Sequence, residues 1–163
     1  MQPAFSPQRP RSEDPAIDPL DPSAQSDAAR LRLVLSAQQL AIACAQLVEA
    51  RKAESIEVIQ VGERLKVADY FVVASGTSRA HVKALFDELH VRLKAAGIQH
   101  RPAEGQELGW WIVLDYGDVV VHLLQPEARS YYDIERLYGD CPRLDWRSAA
   151  AVLPPEQTLR SGS

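Results

Sequence analysis

The chain has 163 residues, 46% of them hydrophobic and 25% charged, which suits one globular domain with some sequence to spare. No apolar run approaches the ~20 residues needed to cross a bilayer, and the N-terminus lacks the hydrophobic stretch of a signal peptide, so a cytoplasmic location is expected. A net charge of −4 argues against a protein held mainly by neutralising phosphates, and Cys44 and Cys141, without C-x-x-C spacing, support neither a zinc ribbon nor a disulfide scaffold.

Prolines crowd the first 22 residues among Ser, Asp and Gln, so residues 1–28 read as a disordered leader. The stretch 28–35 is open between helix and strand, because Leu31, Leu33 and Leu35 alternate while its Ala and Arg favour helix. Ser36 followed by Gln39 is a capping-box start, and Leu40, Ala43, Cys44, Leu47 and Val48 share one face of a helix ending near Lys52. Residues 55–61 (SIEVIQV) and 69–75 (DYFVVAS) read as strands separated by a turn at Gly62, the second buried on both faces. Gly76-Thr77-Ser78 supplies a turn and an N-cap for a helix in which Val82, Leu85, Phe86, Leu89, Leu93 and Ala96 keep the 3.6 period until Gly97. Residues 98–101 then read as a strand, which would complete a parallel strand–helix–strand crossover. Residues 110–115 and 119–124 flank Tyr116-Gly117 as an antiparallel hairpin. Pro126 opens a last helix expected to run to Gly139 with Ala128, Tyr131, Ile134 and Tyr138 inward. The domain is placed at 36–146, with a flexible tail over 148–163. The fold class expected is α/β, a single domain with a mixed sheet of about five strands flanked by helices.

The Gly76 turn could seat an anion on a helix N-terminus, but it lacks the lysine-bearing P-loop pattern and reads as a plain cap. Asp115 and Asp118 straddle a hairpin turn and do not form the paired carboxylates that hold two metal ions. His81, His90, His100 and His122 show no ligand spacing, and no nucleophile sits in a catalytic motif. No cofactor, metal or catalysis is expected. From Ser36 to Ala103 there are nine Lys and Arg against seven Asp and Glu, whereas Glu104 to Arg147 holds four Arg against nine acids. Within that acidic half, Trp110 and Trp111 point to opposite faces of a strand, and Tyr131 and Tyr132 diverge by roughly 100° on a helix, so one of each pair can serve a second surface, the alternative being that they pack under the tails or the segment ending at Trp146. Aromatic groups beside carboxylates suit a basic protein partner.

Taken as a set, ADYFVVASGTSRAHVKAL (68–85), AEG (103–105), WIVLDYGDVVVHLL (111–124) and ARSYYDIERLYGD (128–140) resemble the Iojap or ribosomal silencing factor family, over roughly 36–146. The resemblance implies a nucleotidyltransferase-like fold without its metal-binding carboxylates. It also implies binding to the large ribosomal subunit through that subunit's protein fourteen, where docking of the small subunit would be blocked and translation repressed under nutrient limitation. Carried onto matching positions, it marks Trp111, Asp115, Asp118, Tyr132 and Glu135 as the ribosomal-protein interface, whereas Trp110 departs from the family pattern. Direct reading of nucleic acid and membrane attachment are not expected. Two rival readings are an enzyme of nucleotidyltransferase type working at the Gly76 turn with Asp69 or Asp115, and an assembly module that forms a homodimer through its exposed aromatics.

Overall fold

The computed structural model describes residues 35–153; the leader and most of the tail lie outside them. Helix α1, Ala37–Ala50, opens on the expected box: Ser36 Oγ accepts from the Gln39 N–H at 3.1 Å, and Gln39 Oε1 accepts from the Ser36 N–H at 2.9 Å. Strand β1, Glu54–Gln60, leads into a single helical turn, α2, Gly62–Leu65, and then β2, Tyr70–Ser75. Helix α3, Arg79–Ala95, is capped by Ser78, whose Oγ accepts from the His81 N–H. The hairpin is β3, Trp111–Asp115, and β4, Val119–Leu124; two short helices follow, α4, Pro126–Tyr132, and α5, Ile134–Leu137.

The mixed sheet has the order β1-β2-β4-β3, with β2 and β4 parallel and the outer pairs antiparallel. It holds four strands where about five were expected, because residues 98–101 form none. Only Ile98 of that segment is buried, and Pro102 has no N–H to give to a ladder. The segment instead lies along β3, its Arg101 N–H donating to the Asp115 carbonyl and an isolated bridge joining Glu104 to Val113. The parallel partner of β2 is therefore β4, reached only after the hairpin has begun. On the opposite edge the Gln60 N–H donates to the Pro142 carbonyl and Val58 accepts from Leu144, so irregular chain covers stretches of both outer strands.

The two sides of the sheet differ. Val58, Val72, Val121 and Leu114 stand in register across all four strands and face α1 and α3, whose Leu40, Leu47, Leu85, Leu89 and Leu93 complete a mainly aliphatic core. The next row, Glu57, Val73, His122 and Val113, faces away from it, toward the smaller cluster under α4 and α5 that contains Phe71, Val120, Ala128 and Ile134. The expected single last helix is broken at Asp133, which adopts φ 51°. This left-handed residue resets the helical phase. Ala128 and Ile134 point inward as expected, but Tyr131 is 78% exposed and Tyr132 takes the inner place. Residues 149–152 are fastened to α1 by Gln46, which donates to the Ala149 and Ala150 carbonyls and accepts from the Val152 N–H. Among the described residues, no helix is long and apolar enough to cross a membrane.

Candidate protein-binding face

On the side of the sheet away from α1 and α3, aromatic rings run in a continuous series from the core to the surface. His122, 1% exposed, sits against Phe71 at 4.5 Å between ring centres, and Phe71 meets Tyr138 at 5.2 Å. The Trp111 indole N–H donates to His122 Nδ1 at 3.1 Å, and its ring lies 4.5 Å from that of Tyr132. Tyr132 in turn meets Tyr131 edge-to-face at 4.9 Å. Burial pushes the His122 imidazole down to about 3, so it is neutral near pH 7. Since Nδ1 accepts from the indole, the ring proton is on Nε2.

The backing of this series is fixed by the chain around it. Arg129, almost buried, donates through Nε to Glu135 Oε2 at 2.6 Å and through Nη1 to Ser75 Oγ at 2.8 Å, tying both short helices to the end of β2. Gly105 is required behind Trp111: its φ is 91°, and a Cβ there would stand 2.1 Å from the Trp111 carbonyl oxygen.

Of the residues singled out in the sequence, Trp111 and Tyr132 are brought into ring contact, while the Glu135 carboxylate is engaged by Arg129. Asp115 and Asp118 are at the far end of the hairpin. Asp115 shares a face with Trp111 but is four residues away, about 13 Å along a strand. Its carboxylate accepts from the Gly117 N–H at 2.8 Å and shapes the turn, while the Asp118 carbonyl accepts from the Asp69 and Tyr70 N–H groups. Trp110 is 38% exposed and is not part of the inner cluster. Tyr131, assigned to the core by its period, is instead 78% exposed, while its neighbour Tyr132 packs against the inner cluster.

The Gly76 turn is occupied by its own chain. The Thr77 N–H donates to His81 Nδ1 at 2.8 Å, and a Cβ on Gly76 would lie 2.9 Å from the Val82 nitrogen. Folding also joins two histidines that sequence spacing keeps apart, His90 Nδ1 and His100 Nε2, at 2.9 Å beneath Phe86. Burial, reinforced by His100 and Lys94 against Asp87, holds His90 below its usual range. Among the described residues, no group of three or more His, Cys, Asp or Glu side chains could hold a metal ion, and both cysteines are buried free thiols.

Residues 34–161 match the family model described as "Ribosomal silencing factor during starvation". Ribosomal silencing factor RsfS of Halalkalibacterium halodurans is 33% identical over 111 residues, covering 68% of this chain and 95% of that protein, and RsfS of Bacillus subtilis is 38% identical over 95 residues, covering 58% and 80%. The mouse protein named "Mitochondrial assembly of ribosomal large subunit protein 1" is 35% identical over 95 residues, covering 56% of this chain and 42% of its own length. A crystal structure from Chromobacterium violaceum superposes with a TM-score of 0.63 at 34% identity, covering 72% of this chain and 97% of that one. The family match spanning most of the sequence, together with these relatives, shows that the chain belongs to the family of ribosomal silencing factors.

Proposed function

We propose that this protein binds the large ribosomal subunit at its protein fourteen and keeps the small subunit from docking by occupying the joining surface, without catalysing a reaction. The observation that carries this reading is the ring series ending in the exposed Tyr131: a rigid aromatic ridge with one side packed and one side open. Such anchors lose little side-chain entropy on binding, and they dominate the energetics of protein interfaces. The family match supports silencing, and the mouse relative's name supports a large-subunit partner.

Trp111, Tyr132 and Tyr131 form the contact centre in this reading. Asp115 and Asp118, at the far end of the same hairpin, steer toward a cationic partner, while Glu135 acts through Arg129 by holding the ridge in place. A specific interface buries about 1,200 to 2,000 Å² in total, enough to obstruct a docking surface.

The test is sedimentation of purified protein with separated ribosomal subunits through a sucrose gradient. Wild-type protein is expected to travel with the large subunit and reduce joined particles, and Trp111→Ala or Tyr132→Ala to weaken that binding by about 30-fold or more, an interface hot-spot loss. Wild-type protein remaining at the top of the gradient would refute the reading.

A further inference from the structure

We propose that His122 is a positioning residue for subunit binding: its buried Nδ1 lone pair holds the Trp111 indole in the orientation that the large subunit meets. The inference rests on the assignment of Trp111 to the binding face, and it adds the element that sets that tryptophan's geometry.

An imidazole is a costly choice at this point of the sheet. Its cross-strand partners in register are Val73 and Val113, and an aliphatic side chain would continue their row without burying polar nitrogens. What the imidazole adds is an acceptor directed at Trp111. Trp111 pairs with Leu124, so His122 is its diagonal neighbour across β3 and β4, a separation that two large rings can bridge. The resulting bond, 3.1 Å from indole nitrogen to Nδ1, fixes one edge of a ring that is otherwise only half-buried. Tyr132 holds the same ring from the other side at 4.5 Å. Phe71, 4.5 Å from the imidazole, prevents His122 from following a reorienting indole. Trp111 is thus pinned between an acceptor in the core and a ring near the surface, so the orientational cost of binding is met before the partner arrives.

Packing and positioning make opposite demands on substitutions. His122→Leu fills the site with apolar atoms but removes the acceptor; His122→Asn leaves a small void but keeps an oxygen near the Nδ1 position. Were His122 merely a space filler, both stability and subunit binding would favour Leu over Asn. Positioning predicts that stability favours Leu while binding favours Asn.

Proton exchange at the indole nitrogen, read by NMR of the nitrogen-labelled protein with the Trp111 signal assigned by its loss in Trp111→Phe, reports the bond without any ribosome. Co-sedimentation with large subunits reports its consequence. His122→Leu is expected to speed exchange of the Trp111 N–H and to weaken subunit binding about tenfold, as for loss of one well-placed hydrogen bond, with His122→Asn within about threefold of wild type. Binding by His122→Leu at wild-type strength, or binding that follows the order of melting temperatures, overturns the proposal. If Trp111→Ala loses binding while His122→Leu keeps it, the binding face stands and only the positioning role falls. If Trp111→Ala binds like wild type, the face is misassigned and the positioning role falls with it.

Discussion

The two sides of the sheet are closed by different means. Toward α1 and α3, every strand residue of the core is aliphatic, Ile56, Val58, Val72, Ala74, Ile112, Leu114, Val119, Val121 and Leu123, met by two helices of 14 and 17 residues. The other side is closed by helices of seven and four residues, and by Phe71, His122, Trp111 and Tyr132 with the Arg129–Glu135 pair at the rim. Aliphatic packing against long helices stabilises without leaving a surface to read. Rings under short helices stabilise less completely but leave indole and phenol groups partly open. With the proposed binding role, folding energy would rest mainly on one side and recognition on the other.

The largest effect should come from the helix side. Leu89, fully buried on α3, is expected to cost about 2 to 5 kcal/mol when replaced by Ala, because the cavity adds to the lost transfer energy. Denaturant titration measures this directly. In conditions where the Leu89→Ala variant remains folded, its subunit binding should be unchanged; a variant that is folded yet cannot bind would show that the two sides are not separable.

The same division sets what could be read from the chain before folding. Local chemistry was legible: the Ser36–Gln39 box, the Ser78 cap and the leucine period of α3 each depend on residues within a turn or two of one another. The βαβ expectation failed because pairing partners are chosen by the whole sheet. Residues 98–101 follow the helix, as a parallel strand would, but β4, with six buried residues, competes for the same edge of β2 and wins. At the candidate face, Trp111 and Tyr132 were singled out by resemblance and by the argument that adjacent aromatics cannot share one side. The turn role of Asp115 was legible too, being a bond between residues two apart, whereas the contact of the two rings and the engagement of Glu135 by Arg129 depend on the folded chain.

An intermediate effect follows from His122, a histidine set in the sheet core. The folded His122 titrates near 3, against about 6.5 in an unfolded chain. Between those values the unfolded state binds more protons, so the stability linked to this group is complete above about pH 6.5 and declines as the solution is acidified toward 3. The slope is at most about 1.4 kcal/mol per pH unit. Carboxylates also contribute to acid unfolding, so the quantity to measure is the difference between wild type and His122→Leu in denaturation midpoints from pH 7 to pH 4. The wild-type curve should fall more steeply. Parallel curves would mean that the imidazole is hydrated or charged in the folded protein, and the contrast between an all-aliphatic row and a row with a buried titratable ring would lose its energetic meaning.

The smallest expected change in stability belongs to Tyr131→Ala. With 78% of its surface open and its edge-to-face contact to Tyr132 as its ring partner, Tyr131 contributes little to folding, and removal should shift stability by no more than about 0.5 kcal/mol, as at other surface sites. Yet an exposed phenol at the end of a rigid ring series is well placed to anchor a partner, so binding to the large subunit should fall by about tenfold or more. Trp111→Ala cannot separate these effects cleanly, since it removes an aromatic that also packs on the inner cluster. Tyr131 can, because its folding and binding contributions are predicted to differ in size by the widest margin of any residue on this face. Paired melting and sedimentation measurements decide the matter. Loss of binding with an unchanged melting temperature would place recognition on the thin side of the sheet. Unchanged binding would mean that the partner meets the hairpin beyond the ridge, with Asp115 and Asp118 nearer the centre of contact than Tyr131.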